Sequence, residues 1–237
     1  MNRGVAHATT LLKEGKDAMS DSMLNNPVSL WEHSLGDFRD TVAREPMPGC
    51  GAVAVVSADL GLALVLKGLH LSQDHAATAP RQALIDKSAS LKQRLAPLAQ
   101  EDVAAFEAFM AAVGRDKEDE GRNSAIHAAA ETAVEVPLKT AQLCEAALAM
   151  TQQAGEHIEH QFVSDALAGA RLIHAALHSA LLNIDANAGQ LGSVTARDRA
   201  RLSREGLAQR ADTLLTAITD SAGGPGRVSG SGSASRG

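Results

Sequence analysis

Apolar residues in this chain recur at helical spacing, in long blocks separated by prolines, glycines and short polar stretches. Ser29-Leu30-Trp31-Glu32 reads as a capping box, in which the Ser and Glu side chains satisfy each other's free N–H groups. Leu30, Trp31, Leu35, Phe38 and Val42 then share one helical face, and Pro46 and Pro48 end that element. A second helix begins near Gly49 or Gly51 and runs to about Leu71. A third spans roughly Ala79 to Val113, with a stripe of Leu84, Leu91, Leu95, Leu98, Phe106, Met110 and Val113, and Pro97 predicts a kink inside it. A fourth runs from about Asn123 to Met150, interrupted at Pro137. A fifth, from Ser164 to about Ala188, carries Leu167, Ile173, Leu177, Leu181 and Ile184. A sixth follows Thr195 with Leu202, Leu207, Leu214, Leu215 and Ile218. No block alternates like a strand over more than a few residues, and no internal repeat occurs. The pattern predicts an all-α bundle of about six helices, one long and kinked, with short connections.

Composition sharpens this. The chain has 237 residues, enough to bury a sizeable core, and is 45% hydrophobic but only 2% aromatic. A core of Ala, Leu and Val suits closely packed helices better than a sandwich of strands. A net charge of −6 argues against nucleic acid as a partner. The 2 cysteines imply no disulfide framework, and reduced thiols suggest a cytoplasmic protein. The N-terminus lacks the apolar run of a secretion signal. Ala52–Leu66 is the membrane candidate, but it reads as too short to span and carries Asp59, with Lys67 just beyond, so a buried core helix and no membrane are expected. Residues 1–24, with Met19 and Met23 as alternative starts, read as a flexible extension. Residues 25–221 read as the helical domain and the Gly/Ser-rich 222–237 as a disordered tail.

Candidate chemistry begins at the turn "PMPGCG", which opens the most apolar helix with no side chain able to cap it. Its glycines either let the helix start pack tightly on a neighbour or leave N–H groups free for an anion. Cys50, at that helix start, is a small turn filler or a thiol whose pKa the helix dipole lowers. Among 9 histidines, His174/His178 and His157/His160 each share a helix face, yet none follows a Glu by three residues, and they read as structural or surface groups with no metal site expected. Asp165, after Ser164 at a helix start, is either an N-cap or a proton-transfer carboxylate. Asp102, near the Pro97 kink, has the same two readings and is expected to face the bundle interior.

Several stretches, in order, resemble the cyclodeaminase/cyclohydrolase family, which acts on one-carbon forms of tetrahydrofolate. They are "PMPGCGAVAVVSADLGLAL", "EDVAAFEAFMAA" from Glu101, "AVEVPLKTAQLCEAAL" and "VSDALAGARLIHAALHSALLNIDANAG", together spanning about residues 28–220. The chain departs from the family pattern where Cys50 replaces the middle glycine of the turn, where "GLHLSQDHAATAPRQ" replaces a basic segment, and where Arg115-Asp116-Lys117 replaces Leu-Pro-Lys. The resemblance implies hydrolysis of 5,10-methenyltetrahydrofolate to 10-formyltetrahydrofolate. It also leaves open the cyclodeaminase reaction, which releases ammonia, and a folate-binding relative without catalysis. It implies a homodimer and a folate substrate, with no metal and no separate cofactor. It assigns Asp165 as the main catalytic carboxylate and Asp102 as its support. Pro48, Gly49, Cys50, Gly51, Lys117, Ser164, Asn183 and Asn187 would bind substrate. Asp165 lies 18 residues before Asn183, about 27 Å along a helix, so one pocket cannot hold both within a single chain.

Overall fold

The structure is a computed structural model that describes residues 29–223. The expected extension at 1–24 and nearly all of the expected tail lie outside the described residues. The chain divides into two units, residues 1–40 and 41–237. In the first, Ser29 starts a single 3-10 turn at Leu30–Glu32: its Oγ accepts the Trp31 N–H at 3.4 Å, and its carbonyl accepts that of Glu32 at 2.8 Å. Ser29 Oγ thus reaches Trp31 rather than closing the expected box with Glu32, and the serine that caps the next helix is Ser34, five residues on. Ser34 Oγ accepts the Asp37 N–H at 3.0 Å and donates to the Asp37 carboxylate at 2.6 Å. Helix α1 (Leu35–Arg44) follows and runs past the boundary; none of its residues is buried.

The second unit holds α2 (Cys50–His75), α3 (Ala79–Leu95), α4 (Leu98–Val113), α5 (Arg122–Ala154), α6 (Val163–Asn187) and α7 (Val194–Gly223). Short 3-10 turns flank α6, and no strand occurs among the described residues. The expected third helix divides at Ala96–Pro97 into α3 and α4, both residues keeping α-region backbone angles. Proline supplies no N–H to the preceding turn, so the kink amounts to a break.

The pair α2–α6 forms the centre. Ala52, Val55, Ala58, Val65 and Leu69 of α2 and Ala170, Ile173, Leu177, Ala180 and Leu181 of α6 are fully buried. The helices cross at Gly61 and Gly169. A Cβ on Gly61 would lie 2.7 Å from the Gly169 carbonyl oxygen, and one on Gly169 would strike the Gly61 carbonyl. Neither obstacle is a side chain that can turn away, so both positions require glycine. Because Gly51 neighbours Asn183 while Gly61 neighbours Gly169, the helices run antiparallel.

At 26 residues α2 is long and apolar enough to cross a membrane, contrary to the expectation that it is too short. More than half of that apolar window is buried against other helices, as in a core helix. Its one buried acid, Asp59, lies 3.5 Å from Lys92 of α3, and burial raises the Asp59 pKa against the pull of that lysine. At its C-terminal end the buried Arg81 binds the Ser72 and His157 carbonyls, both at 2.7 Å, and the Ala76 carbonyl. A cation fits there because the last carbonyls of a helix carry its negative dipole end.

Helix α5 is continuous across Pro137, which corrects the expected interruption. Proline at 137 cannot bond the carbonyl of Ala133, four residues back. That buried carbonyl instead accepts Asn187 Nδ2 of α6 at 3.2 Å. The Asn187 amide thus replaces the missing backbone donor and joins the two helices. Asn187→Ala strands the carbonyl and should cost about 1–3 kcal/mol of stability. In a Pro137→Ala background the backbone N–H returns, so denaturant unfolding of the four proteins should show a cost smaller by about 1 kcal/mol or more. Equal costs in both backgrounds would contradict this pairing.

Candidate functional site

Helix α2 starts at Cys50, and its N-cap Gly49 is extended (φ −97°, ψ −161°) and offers no side-chain cap. A helix start leaves N–H groups that require partners. One comes from α4: Asp102 Oδ2 accepts the Ala52 N–H at 3.1 Å. The anion at the bare turn is therefore the protein's own carboxylate. Asn183 of α6 donates from Nδ2 to Asp102 Oδ1 at 3.3 Å, and the Cys50 thiol lies 2.6 Å from Asn183 Oδ1. A side chain at position 51 is impossible here: its Cβ would fall on the Asp102 carboxylate and 2.6 Å from Asn183 Nδ2. Thus Gly51 admits the carboxylate to the helix end: the turn packs tightly, and the Ala52 N–H is taken by the protein's own Asp102 rather than left free for an external anion.

The electrostatics follow from this placement. Burial pushes the Asp102 carboxyl above its ordinary range, and the Ala52 N–H and Asn183 amide hold it back in part. Burial, then the charge of Asp102, also raises the Cys50 thiol. Of the two readings of Cys50 this goes against the dipole-activated thiolate and leaves the small turn filler, since a carboxylate already occupies the helix end. Cys144 is fully buried and pushed up to about 12 by desolvation, so it is a core residue.

The predicted residues divide into groups. Pro48 (buried, after a cis Met47–Pro48 bond), Gly49, Cys50, Gly51, Asp102 and Asn183 come together. Asn187, one turn beyond Asn183, shares its face as expected but spends its amide on Ala133 and the Asn183 carbonyl. Asp165 stands at the other end of α6, in a 2.8 Å ion pair with Lys67 of α2. The N-cap of α6 is Phe162, so Ser164 and Asp165 lie in its first turn, which corrects the capping reading. Ser164 is exposed, as is Lys117 in the connection after α4. Two participants were not foreseen: the Ala52 N–H, legible in principle from a helix start lacking its own cap, and Lys67.

A cavity of about 590 Å³ between α3 and α5 is lined by Pro80, Lys87, Gln152, Gln153 and His157 among others. It lies at the Ser72 end of α2, where Arg81 binds the His157 carbonyl, and contains none of the predicted residues. Chemically, the cluster at the Cys50 end is the stronger candidate. It holds a half-buried carboxylate and two neutral donors, the Ala52 N–H and the Asn183 amide, that fix its direction. Such a group can accept a proton and face a developing positive charge.

The raised pKa has a thermodynamic sign. The folded Asp102 holds its proton more tightly than the unfolded one, so its contribution to stability is present at low pH and lost as pH rises through the folded pKa. Asp102→Asn removes that loss. Melting temperatures followed from about pH 4 to about pH 7 should therefore fall less, or rise more, for the variant than for the parent; parallel curves would contradict the assignment.

Comparisons with known proteins bear on this geometry. The family model described as formiminotransferase-cyclodeaminase matches residues 34–204. Methenyltetrahydrofolate cyclohydrolase of Methylorubrum extorquens is 30% identical over 190 residues, covering 76% of this chain and 91% of that protein. The crystal structure of formiminotetrahydrofolate cyclodeaminase from Thermotoga maritima superposes with a TM-score of 0.73 at 23% identity, over 81% of this chain and 96% of that one. It shares the fold.

Proposed function

Because the chain belongs to the formiminotransferase-cyclodeaminase family, we propose that it processes a one-carbon tetrahydrofolate, hydrolysing 5,10-methenyltetrahydrofolate to 10-formyltetrahydrofolate. The observation that carries the reading is Asp102, held between the Ala52 N–H and the Asn183 amide with its pKa raised. Water adds to the carbon between N5 and N10, and Asp102 accepts its proton. The carbon–N5 bond then breaks, N5 takes the hydroxyl proton, and one proton is released overall. No oxidation state changes, so the reaction calls for no nicotinamide. Asn183 holds the carboxylate in place. Of the two predicted carboxylates, Asp102 takes the proton-transfer role. Asp165 is neutralised by Lys67 and stands about 27 Å of helix from Asn183.

The second reading, closure of formiminotetrahydrofolate with loss of ammonia, is favoured by the family description. It would use the same carboxylate, and absorbance assays with the two substrates in parallel separate the reactions. Asp102→Asn keeps size and hydrogen bonding but removes the base, so turnover should fall by at least about a hundredfold, while Asp165→Asn keeps most of it. The rising limb of the parent's pH–kcat/KM profile should sit above the ordinary carboxylate range. Full activity in Asp102→Asn, or the large loss in Asp165→Asn instead, would move the assignment. Absence of turnover with either substrate, together with folate-induced thermal stabilisation, would support the binding relative.

The homodimer implied by the resemblance is proposed with it. Leu60 and Leu172 immediately precede Gly61 and Ile173, the residues that meet at the crossing, and in an antiparallel pair they point to the same side. They are 49% and 39% exposed, large for leucines beside a packed core. Light scattering should give a dimer mass for the parent and a monomer mass for Leu172→Glu; one mass for both would remove this face.

A further inference from the structure

Helix α6 presents a second group of chemistry-bearing residues, facing α7. His174 and His178 are one turn apart, so both imidazoles leave the same face of α6. Both turn Nε2 to a single oxygen, Asp212 Oδ1 of α7, at 2.7 Å and 3.0 Å. The rings lie 4.4 Å apart by centroid, tilted by 49°. One donor atom from each of the three residues falls within 4.8 Å of the other two.

One imidazole N–H would suffice to bind that oxygen. Two imidazoles from one helix and a carboxylate from the next bring a donor set of two nitrogens and one oxygen to one point. This is the set that zinc takes in sites with three protein ligands and an open position. At zinc–ligand distances of about 2.0–2.2 Å, tetrahedral ligand atoms stand roughly 3.4 Å apart. The two nitrogen–oxygen spacings of 2.7 Å and 3.0 Å would open by about 0.7 Å and about 0.4 Å to reach it, and the remaining pair already lies within 4.8 Å. An imidazole that donates to Asp212 carries its hydrogen on Nε2; binding a cation through that nitrogen moves the hydrogen to Nδ1, so two neutral imidazoles can serve as ligands without loss of a proton. The carboxylate neutralises half of its charge, and the side chains are 22%, 36% and 61% exposed, which leaves a path and a fourth position for water. His174 lies nine residues before Asn183, about 13 Å along α6, so the group is distinct from the Asp102 cluster.

We propose that His174, His178 and Asp212 form a surface site for a divalent first-row cation, Zn²⁺ above all, which clips α6 to α7. Imidazole and carboxylate together select zinc, copper or nickel over calcium and magnesium.

The test uses the full chain, free of any affinity tag and stripped with chelator, titrated with Zn²⁺ by calorimetry. His178→Gln and Asp212→Asn should each bind about one zinc equivalent fewer than the parent in the micromolar range. The control His75→Gln, which alters a separate His–Glu pair, should match the parent. Zinc should raise the melting temperature of the parent and of His75→Gln by a few degrees and leave both site variants unmoved. Cobalt should give the visible absorption of a tetrahedral site in the parent and in His75→Gln, and in neither site variant. Should His178→Gln fail to fold, Asp212→Asn, altered at an exposed carboxylate, decides. Zinc isotherms and thermal shifts identical between the parent and Asp212→Asn would overturn the proposal.

Discussion

The close crossing of α2 and α6 at Gly61 and Gly169 sets the geometry of everything else in residues 41–223. Each glycine meets the backbone of the other, and backbone cannot yield as a side chain would. Asn183 lies fourteen residues beyond Gly169, close to four helical turns, so it returns to the face that looks at α2. The amide is thereby delivered to the start of α2, about 20 Å from the crossing. Removing the glycine contact would separate the helices along their whole length and withdraw Asn183 from Asp102, although neither glycine touches the cluster.

A helix start with no capping side chain needs a partner from another element, and here that partner is a carboxylate. The positive end of the α2 dipole and the Ala52 N–H favour the ionised form of Asp102; burial opposes it and is the larger effect. The same residue therefore completes the fold at a helix end and is left with a raised pKa. An asparagine there would keep a hydrogen-bonding oxygen for Ala52 and lose the titration. That difference separates the capping role from the chemical one.

Most of the helices were legible from apolar periodicity, because an Ala/Leu/Val core leaves a clean stripe on each. Where the reading failed, the deciding partner was distant in the chain. Pro137 reads as an interruption because the donor that rescues the Ala133 carbonyl is Asn187, more than fifty residues later. Ser29 and Ser34 both open a Ser-x-x-acid pattern five residues apart, and local sequence does not choose between them; the backbone chose Ser34. For the site, the glycine turn, Asp102 and Asn183 were all singled out, yet their grouping depends on three helices meeting. Asp102 and Asp165 look alike in sequence, each near the start of an apolar helix. Lys67 distinguishes them in space, and its reach from α2 to α6 follows from the antiparallel crossing.

The contrast between those two aspartates supports the chemical proposal. Asp165 has a cation at 2.8 Å, so its charge is already matched. Among the described residues Asp102 is held by neutral donors, an N–H and an amide, and its negative charge lacks a counter-charge among them. A half-buried carboxylate in that state gains most from a ligand that brings positive charge with it. The methenyl bridge of the proposed substrate is a cationic amidinium. Docked at Asp102, it would draw the carboxyl toward its ionised form as it binds. The ground-state burial that raises the pKa would thus be offset by the substrate, with the base ionised at the moment the water proton must leave.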